Sequence, residues 1–518
     1  MFTDFRESVA PNRFDCDVCV VGAGAAGISM ALRLANSRLR VCVVESGGFD
    51  PDPAVQSLYE GESVGNQLAD PMFCRLRYFG GTTNHWQGWC APLDASDFEA
   101  RSWVPYSGWP ISKRDLDPYY ETAQLIVELN AYRYEAGQFP IEDRDLPRFD
   151  PHKLRVRYWQ YSPPTRFGTR YRDALRRATS IEVVLHANTV KIETDETATR
   201  VEAIHLRTLS GRAGIVRARC FVLACGGMEN ARLLLATRDA EPKGLGTGSD
   251  ALGRFFLQHP EAQVAQVVTD SPDSLVRAFN QRQSEVGSIR AHITCAAPLQ
   301  EQFRLLNAGF DILVRRDFGA GYAALRAARA EIGHGQWQGL DEKLWAVLTD
   351  LDGVASGLYK GARGMVSSLD LVAHAEQTPN PESRLTLTHE RDVLGMPKLK
   401  VDWRLTRDDK RSLLESTLRV GEELARLRLG RIKIEEWLLA GEDAWPNPIW
   451  SGCHHMGTTR MSDDPSAGVV DRNCRMHGVA NLYVAGSSVF PTGGYVTPTF
   501  TIVALALRMA DHIKGSLS

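Results

Sequence analysis

The chain has 518 residues, 43% hydrophobic and 24% charged, with 60 basic residues against 63 acidic ones for a formal charge of −3. That balance leaves no electrostatic footprint for nucleic acid or an anionic membrane, and the length exceeds one ordinary core, so two domains or one domain carrying a large insertion are expected. The 10 cysteines are scattered without a disulfide-like framework, which suits a reducing cytoplasm.

The N-terminal stretch MFTDFRESVAPNRFDC has no apolar core, twin arginine or cleavage pattern, so no secretory signal is expected. Cys16 and Cys19 form a C-x-x-C inside the β-branched run FDCDVCVVGAG. On a strand, residues three apart point to opposite faces, so the pair reads as strand and not as half a zinc site. Asp17 to Val21 reads as a buried parallel strand and Ile28 to Leu34 as a helix start. Between them Gly22, Gly24 and Gly27 stand at G-x-G-x-x-G spacing. Such glycines permit a tight turn, close approach to a pyrophosphate and helix–strand packing, with the helix N-terminus favouring phosphate charge. The next strand, RVCVVES, ends in Glu45, where a carboxylate accepts from ribose hydroxyls. Strand, glycines, helix, strand and acid in register predict a Rossmann-like dinucleotide site.

Much later RARCFVLACGGMENARLLLAT reads as another strand ending in small residues, with a helix entered at Glu229-Asn230; a split flavin domain needs such a returning strand. Arg384–Thr388 and Lys398–Trp403 alternate across a turn with Gly395 and Pro397, which predicts a hairpin. Thr406 and Asp409 open a helix with a capping box, and Leu413, Thr417, Val420, Leu424 and Leu427 follow at helical spacing. SGCHHMGTTRM then puts Cys453, His454 and His455 in a turn-prone segment. As residue types alone they suit metal ligands, a nucleophile with its base, or a proton acceptor beside a cofactor. The final apolar run, FTIVALALRMADHI, is interrupted by Arg508 and too short to span a bilayer.

These stretches, together with YFGGTTNHWQGW, LGRFFLQHP, EQTPNPESRLTL and GVANLYVAGSSVFPTGGYVTPTFTIVALALRMADHI, resemble the glucose–methanol–choline oxidoreductases nearly end to end. The closest likeness is to the bacterial sugar- and polyol-oxidising branch, that of pyranose oxidases, glycoside 3-oxidases and fructose or gluconate dehydrogenases. The resemblance implies an α/β fold with a Rossmann-like FAD-binding domain assembled from residues 1–111, 181–258 and 445–518. An inserted α+β substrate-binding domain with an antiparallel sheet is expected over 259–444, with 112–180 partly contributing. It implies FAD, a small alcohol or sugar substrate, and oxygen, a quinone or another electron acceptor, and it is compatible with a homo-oligomer.

The resemblance also assigns residues. His454 matches the first histidine of the family's H-x-x-G-T pattern and is expected to be the base. Imidazole suits removal of a hydroxyl proton as hydride leaves carbon for flavin N5. Gly81, Thr82 and Asn84 are expected at the flavin, and Val190 with its backbone at adenine. Gly486 and Ser487 mark a strand end near the cofactor, and Pro498 and Thr499 begin a helix whose N-terminus stabilises charge on reduced flavin. His85 stands where some relatives attach a histidine covalently to the flavin; a noncovalent ring packing there is the alternative. Thr497 departs from the family, which places Asn or His there, and it is expected either to orient the substrate oxygen or to make room for a bulkier substrate. Alternatives of other classes are a non-redox lyase on the same fold, a dehydrogenase subunit feeding a quinone or haem partner, and an NAD enzyme; the FAD-type C-terminal segment disfavours the last.

Overall fold

In the computed structural model, which describes residues 1–517 apart from 69, 240, 247, 316–318, 334–339, 364–365, 442–443 and 447–448, the β-branched run at the N-terminus is a buried central strand, Arg13–Val21. It pairs in parallel with Val41–Val44 on one side and Ala213–Leu223 on the other. The eight-stranded sheet continues through Ile181–Leu185 to Phe2–Asp4 at one edge. At the other edge Val201–Arg207 and Asn188–Thr194 run antiparallel, and Leu482–Val484 joins Ala213–Leu223 in parallel. Near-continuous apolar strands are what a sheet covered on both faces requires. Helix Ala25–Leu34 packs beside the last helix, Thr499–Leu517, so the two ends of the chain meet over the glycine-rich turn.

A second eight-stranded sheet is entirely antiparallel. Its order is Arg431–Ile434, Glu261–Val268, Ser368–Ala375, Ala308–Arg315, Gly287–Cys295, Leu154–Tyr161 and Trp89–Cys90, with Arg282–Ser284 pairing Gly287–Cys295. Helix Arg407–Arg426 buries Leu413, Thr417, Val420 and Leu424 near this sheet, and its start carries the capping box between Thr406 and Asp409. Leu427 falls at the helix C-cap and is only half-buried. The hairpin forms from Arg384–Arg391 and Pro397–Trp403, and its second strand pairs in parallel with Gly61–Gly65. All ten cysteines are free thiols, and among the described residues no helix is long and apolar enough to cross a membrane.

A buried ion pair fastens the loop after helix Ala95–Phe98 to the end of strand Ser368–Ala375 in the second sheet. Arg101 donates Nη1 to Glu376 Oε2 at 2.8 Å and Nη2 to Oε1 at 2.5 Å, with side chains 3% and 0% exposed. Glu376 also accepts the Asn307 N–H at 2.9 Å. Removing one partner of such a pair strands the other, at about 3–5 kcal/mol. Arg101→Met is therefore expected to lower the melting temperature clearly in a calorimetric scan, and a melting curve unchanged from wild type would show that the pair does not hold this loop to the sheet.

Candidate functional site

The turn after strand Arg13–Val21 is built on backbone geometry. Gly22 has φ of +106°, and a Cβ there would lie 2.6 Å from the Ala224 carbonyl oxygen, so only glycine fits between the two central strands. Gly27 abuts the Gly22 carbonyl, which lets helix Ala25–Leu34 start against the strand. That helix begins at Ala25, three residues before the start expected from the sequence, because Gly24 serves as its N-cap. Glu45 is buried, and its carboxylate accepts the Ala23 N–H at 2.9 Å and the Gly47 N–H at 3.0 Å. Burial pushes its pKa up, against the pull of those N–H groups and of Arg77. Glu45 thus fastens the glycine turn as well as facing the cavity beside it.

That cavity measures about 610 Å³ and runs from Glu45 to His454. A Cβ added at Gly24, Gly226 or Gly486 would meet nothing within 4 Å, so three bare backbone segments wall it. Gly81 comes against them, its Cβ position 3.0 Å from the Gly24 Cα. Open backbone at a helix N-terminus with a carboxylate at the next strand end is a cradle that fits a dinucleotide such as FAD. Asn230 binds the strand ends together: it accepts from Cys225 N and donates to the Ala485 carbonyl and Ser488 Oγ. Ser487 Oγ donates to the His455 carbonyl at 2.7 Å.

One flank carries an ion-pair cluster that sequence reading does not reveal. Arg75 and Arg77 reach Glu229 at 3.0 and 3.2 Å, and Arg232 reaches Asp392 at 2.8 Å. Burial works to raise the Glu229 pKa, but Arg232, Arg75 and Arg77 outweigh it and hold the carboxylate down at about 2.

The other end is a histidine and carboxylate cluster. Backbone bonds exchanged between Leu257 and Met456, and the Glu261 N–H to Trp450 carbonyl bond of 2.8 Å, lay the start of strand Glu261–Val268 beside the SGCHH loop. Gly452 and Cys453 both have positive φ, +59° and +57°, a sharp turn that a cysteine adopts only under strain. His454 Nδ1 consequently lies 2.9 Å from His259 Nδ1 and 3.9 Å from Glu261 Oε1. Glu261 meets His374 Nδ1 at 3.3 Å, and His374 Nε2 meets Asp311 at 3.1 Å. Burial alone would depress His374, yet Glu261 and Asp311 hold its pKa up at about 10. His454 is the opposite case: burial, then His259, push it down to about 3, so its ring is neutral. Its Nε2 makes no hydrogen bond to a described residue.

Of the residues singled out in the sequence, Gly22, Gly24, Glu45, Gly81, Thr82, His85, His454, Gly486, Ser487, Thr497, Pro498 and Thr499 line the cavity. Asn84 instead donates its amide to the Phe79 carbonyl at 3.0 Å, holding the Gly81–Asn84 turn. Val190 is not a lining residue; Ala187 and Thr189 are. Burial lowers the pKa of His85, and Arg166 adds to the effect. Thr497 donates its hydroxyl proton to the Trp89 carbonyl at 2.6 Å, so toward the cavity it offers an acceptor and no donor. Tyr495 is turned away, bonded to His292 and Arg157. Sequence reading gives no role to Glu261, His374, Asp311 or His259. Their one signal is a charge or histidine set inside an apolar strand or its entry, where burial demands a partner.

Residues 17–245 match the family model described as FAD dependent oxidoreductase, and residues 379–506 match that of GMC oxidoreductase. The 2-methyl-1,2-propanediol dehydrogenase of Mycolicibacterium austroafricanum is 25% identical over 97% of this chain and 96% of its own. Paromamine 6'-oxidase of Streptomyces fradiae is 26% identical over 97% and 92%. Among solved structures, a fungal aryl-alcohol oxidase superposes with a TM-score of 0.57 at 15% identity, over 98% of this chain and 100% of that one. Fold and cavity define an FAD-dependent oxidoreductase. The segment 379–506 is similar to GMC oxidoreductases, and the two relatives are named a dehydrogenase and an oxidase of hydroxylated compounds.

Two outcomes follow from the site. Glu45→Ala removes charge-assisted bonds of about 1.5–3 kcal/mol, so FAD should dissociate at least tenfold more readily in equilibrium dialysis; unaltered retention would contradict its place at the cofactor. His374, raised to about 10 from an ordinary 6.5, contributes stability in full below about pH 6.5 and loses it as pH climbs toward 10. Glu261 and Asp311, held below their ordinary carboxylate values against burial, contribute above that range and lose it as pH falls. His374→Gln should therefore flatten the alkaline limb of melting temperature against pH, a limb that stays steep if His374 is neutral.

Proposed function

We propose that the chain oxidises a secondary alcohol of a sugar, glycoside or polyol, with His454 as the base. The observation that carries this reading is a neutral imidazole lining the cavity with no hydrogen-bond partner for Nε2 among the described residues, the form that takes a proton. FAD, when bound, accepts the hydride that leaves the substrate carbon. The protein's part is to bind the hydroxyl at His454 and to receive its proton there. The charge that then forms on His454 has Glu261 3.9 Å away to offset it. Glu261 and the Thr497 oxygen give a polyhydroxylated substrate polar anchors, and the exposed face of Trp450 gives it an apolar plane. The names of the two relatives, a 2-methyl-1,2-propanediol dehydrogenase and a paromamine 6'-oxidase, support a hydroxylated small molecule as the substrate.

In this reading residues 1–111, 181–258 and 445–518 hold FAD, and 259–444 with part of 112–180 hold the substrate. In support, the second group contributes only Glu261, His374, Asp392, Leu394 and Met396 to the lining. His85, which lines the cavity, would carry any covalent flavin link, with a noncovalent packing of its ring on the flavin as the alternative. The ten free thiols support a cytoplasmic location. Electrons pass onward to oxygen, a quinone or another acceptor, in line with one relative named an oxidase and one a dehydrogenase.

Anaerobic mixing with sugars, glycosides and polyols tests the base. His454→Ala should keep the flavin spectrum but be reduced about 10²-fold more slowly or worse. A variant bleached at the wild-type rate removes His454 from the chemistry.

A further inference from the structure

His454 and His259 face each other nitrogen to nitrogen, and two neutral imidazoles in that arrangement have complementary protons. Burial holds both rings neutral, His259 at about 4 and His454 at about 3. Across the 2.9 Å contact between their Nδ1 atoms, one nitrogen donates and the other is bare. The far side of His259 decides which. Its Nε2 lies 3.3 Å from the Gly493 carbonyl oxygen, which can only accept, so the His259 proton sits on Nε2 and its Nδ1 is bare. His454 must then carry its proton on Nδ1. The second neighbour of that nitrogen, Glu261 Oε1 at 3.9 Å, is also an acceptor and favours the same state. What remains on His454 is a lone pair on Nε2, the nitrogen without a partner among the described residues.

We propose that His259 is a positioning residue: anchored on the Gly493 carbonyl, it fixes the Nδ1–H tautomer of His454 and leaves Nε2 as the atom that takes the substrate proton. The contact has a backbone basis. Leu257 and Met456 exchange N–H to carbonyl bonds of 3.0 Å, which sets residues 257–259 beside 454–456 before either side chain is placed. The groups facing the pair are Glu261 and, behind it, His374 and Asp311. Burial, then His259, outweigh Glu261 at His454, with His374 adding to them, so the carboxylate does not keep the ring protonated at rest. The proposal rests on the reading of His454 as base, and its test separates the two.

The test uses the FAD-loaded protein with ring-15N histidine, read by NMR, together with anaerobic flavin reduction against pH, for wild type, His259→Leu and His259→Gln. Wild type should show His454 protonated on Nδ1 and bare on Nε2. His259→Leu, which has no acceptor, should give mixed His454 tautomers and slow reduction about tenfold or more at unchanged substrate affinity. Glutamine can accept from His454 through its oxygen and donate to Gly493 through its amide, so His259→Gln should recover the Nδ1–H state and most of the rate. A wild-type His454 protonated on Nε2 overturns the proposal whatever the variants do, and so does a folded Leu variant with wild-type rate and pH profile. If His454→Ala is reduced as fast as wild type while the Nδ1–H tautomer is seen, the base reading fails and the tautomer assignment stands.

Discussion

The contact between His454 and His259 organises the reactive end of this molecule. It joins two segments about two hundred residues apart in sequence, one entering the antiparallel sheet and one in the loop leading to the C-terminal strand. Its geometry depends on main-chain pairing, Leu257 with Met456 and Glu261 with Trp450, and on the positive-φ turn at Gly452 and Cys453. The placement of the two rings thereby follows from the pairing of these two segments. A ring held by packed backbone keeps its aim.

Charge along the cavity is arranged in the same spirit. At one end Glu229 and Asp392 answer Arg75, Arg77 and Arg232; at the other Glu261 and Asp311 answer His374. Each cluster satisfies itself before any ligand arrives, so the protein does not bury unpaired charge while the cavity is empty. Between them the wall is mostly bare backbone, at Gly24, Gly81, Gly226 and Gly486, where N–H groups and not side-chain charges face a cofactor. His454 therefore sits in a buried setting that keeps it neutral, with a carboxylate close enough to offset the charge it acquires.

What was legible in the sequence follows from how local each signal is. The glycine turn and Glu45 lie within one strand–helix–strand unit, and the helix opened by Thr406 and Asp409 carries its cap within four residues; spacing alone reveals both. The His374 cluster draws on positions 261, 311 and 374, single polar residues in apolar strands whose pairing exists only after the sheet closes. Thr497 shows the same limit. Its departure from the family pattern is visible, but its partner, the Trp89 carbonyl, comes from an edge strand of the other sheet. Asn84, which the resemblance assigns to the flavin, donates its amide to the Phe79 carbonyl within its own turn, a bond that residue type does not reveal.

The central claim is that this cavity lets an alcohol's carbon give up hydride to FAD while a neutral histidine takes the hydroxyl proton. Stopped-flow reduction by a sugar or polyol carrying deuterium on the hydroxyl-bearing carbon, without oxygen and at saturating substrate, tests it most directly. Flavin bleaching that is slowed by the deuterium is the predicted result. Failure of every alcohol to bleach the flavin, or bleaching indifferent to that deuterium, would contradict it.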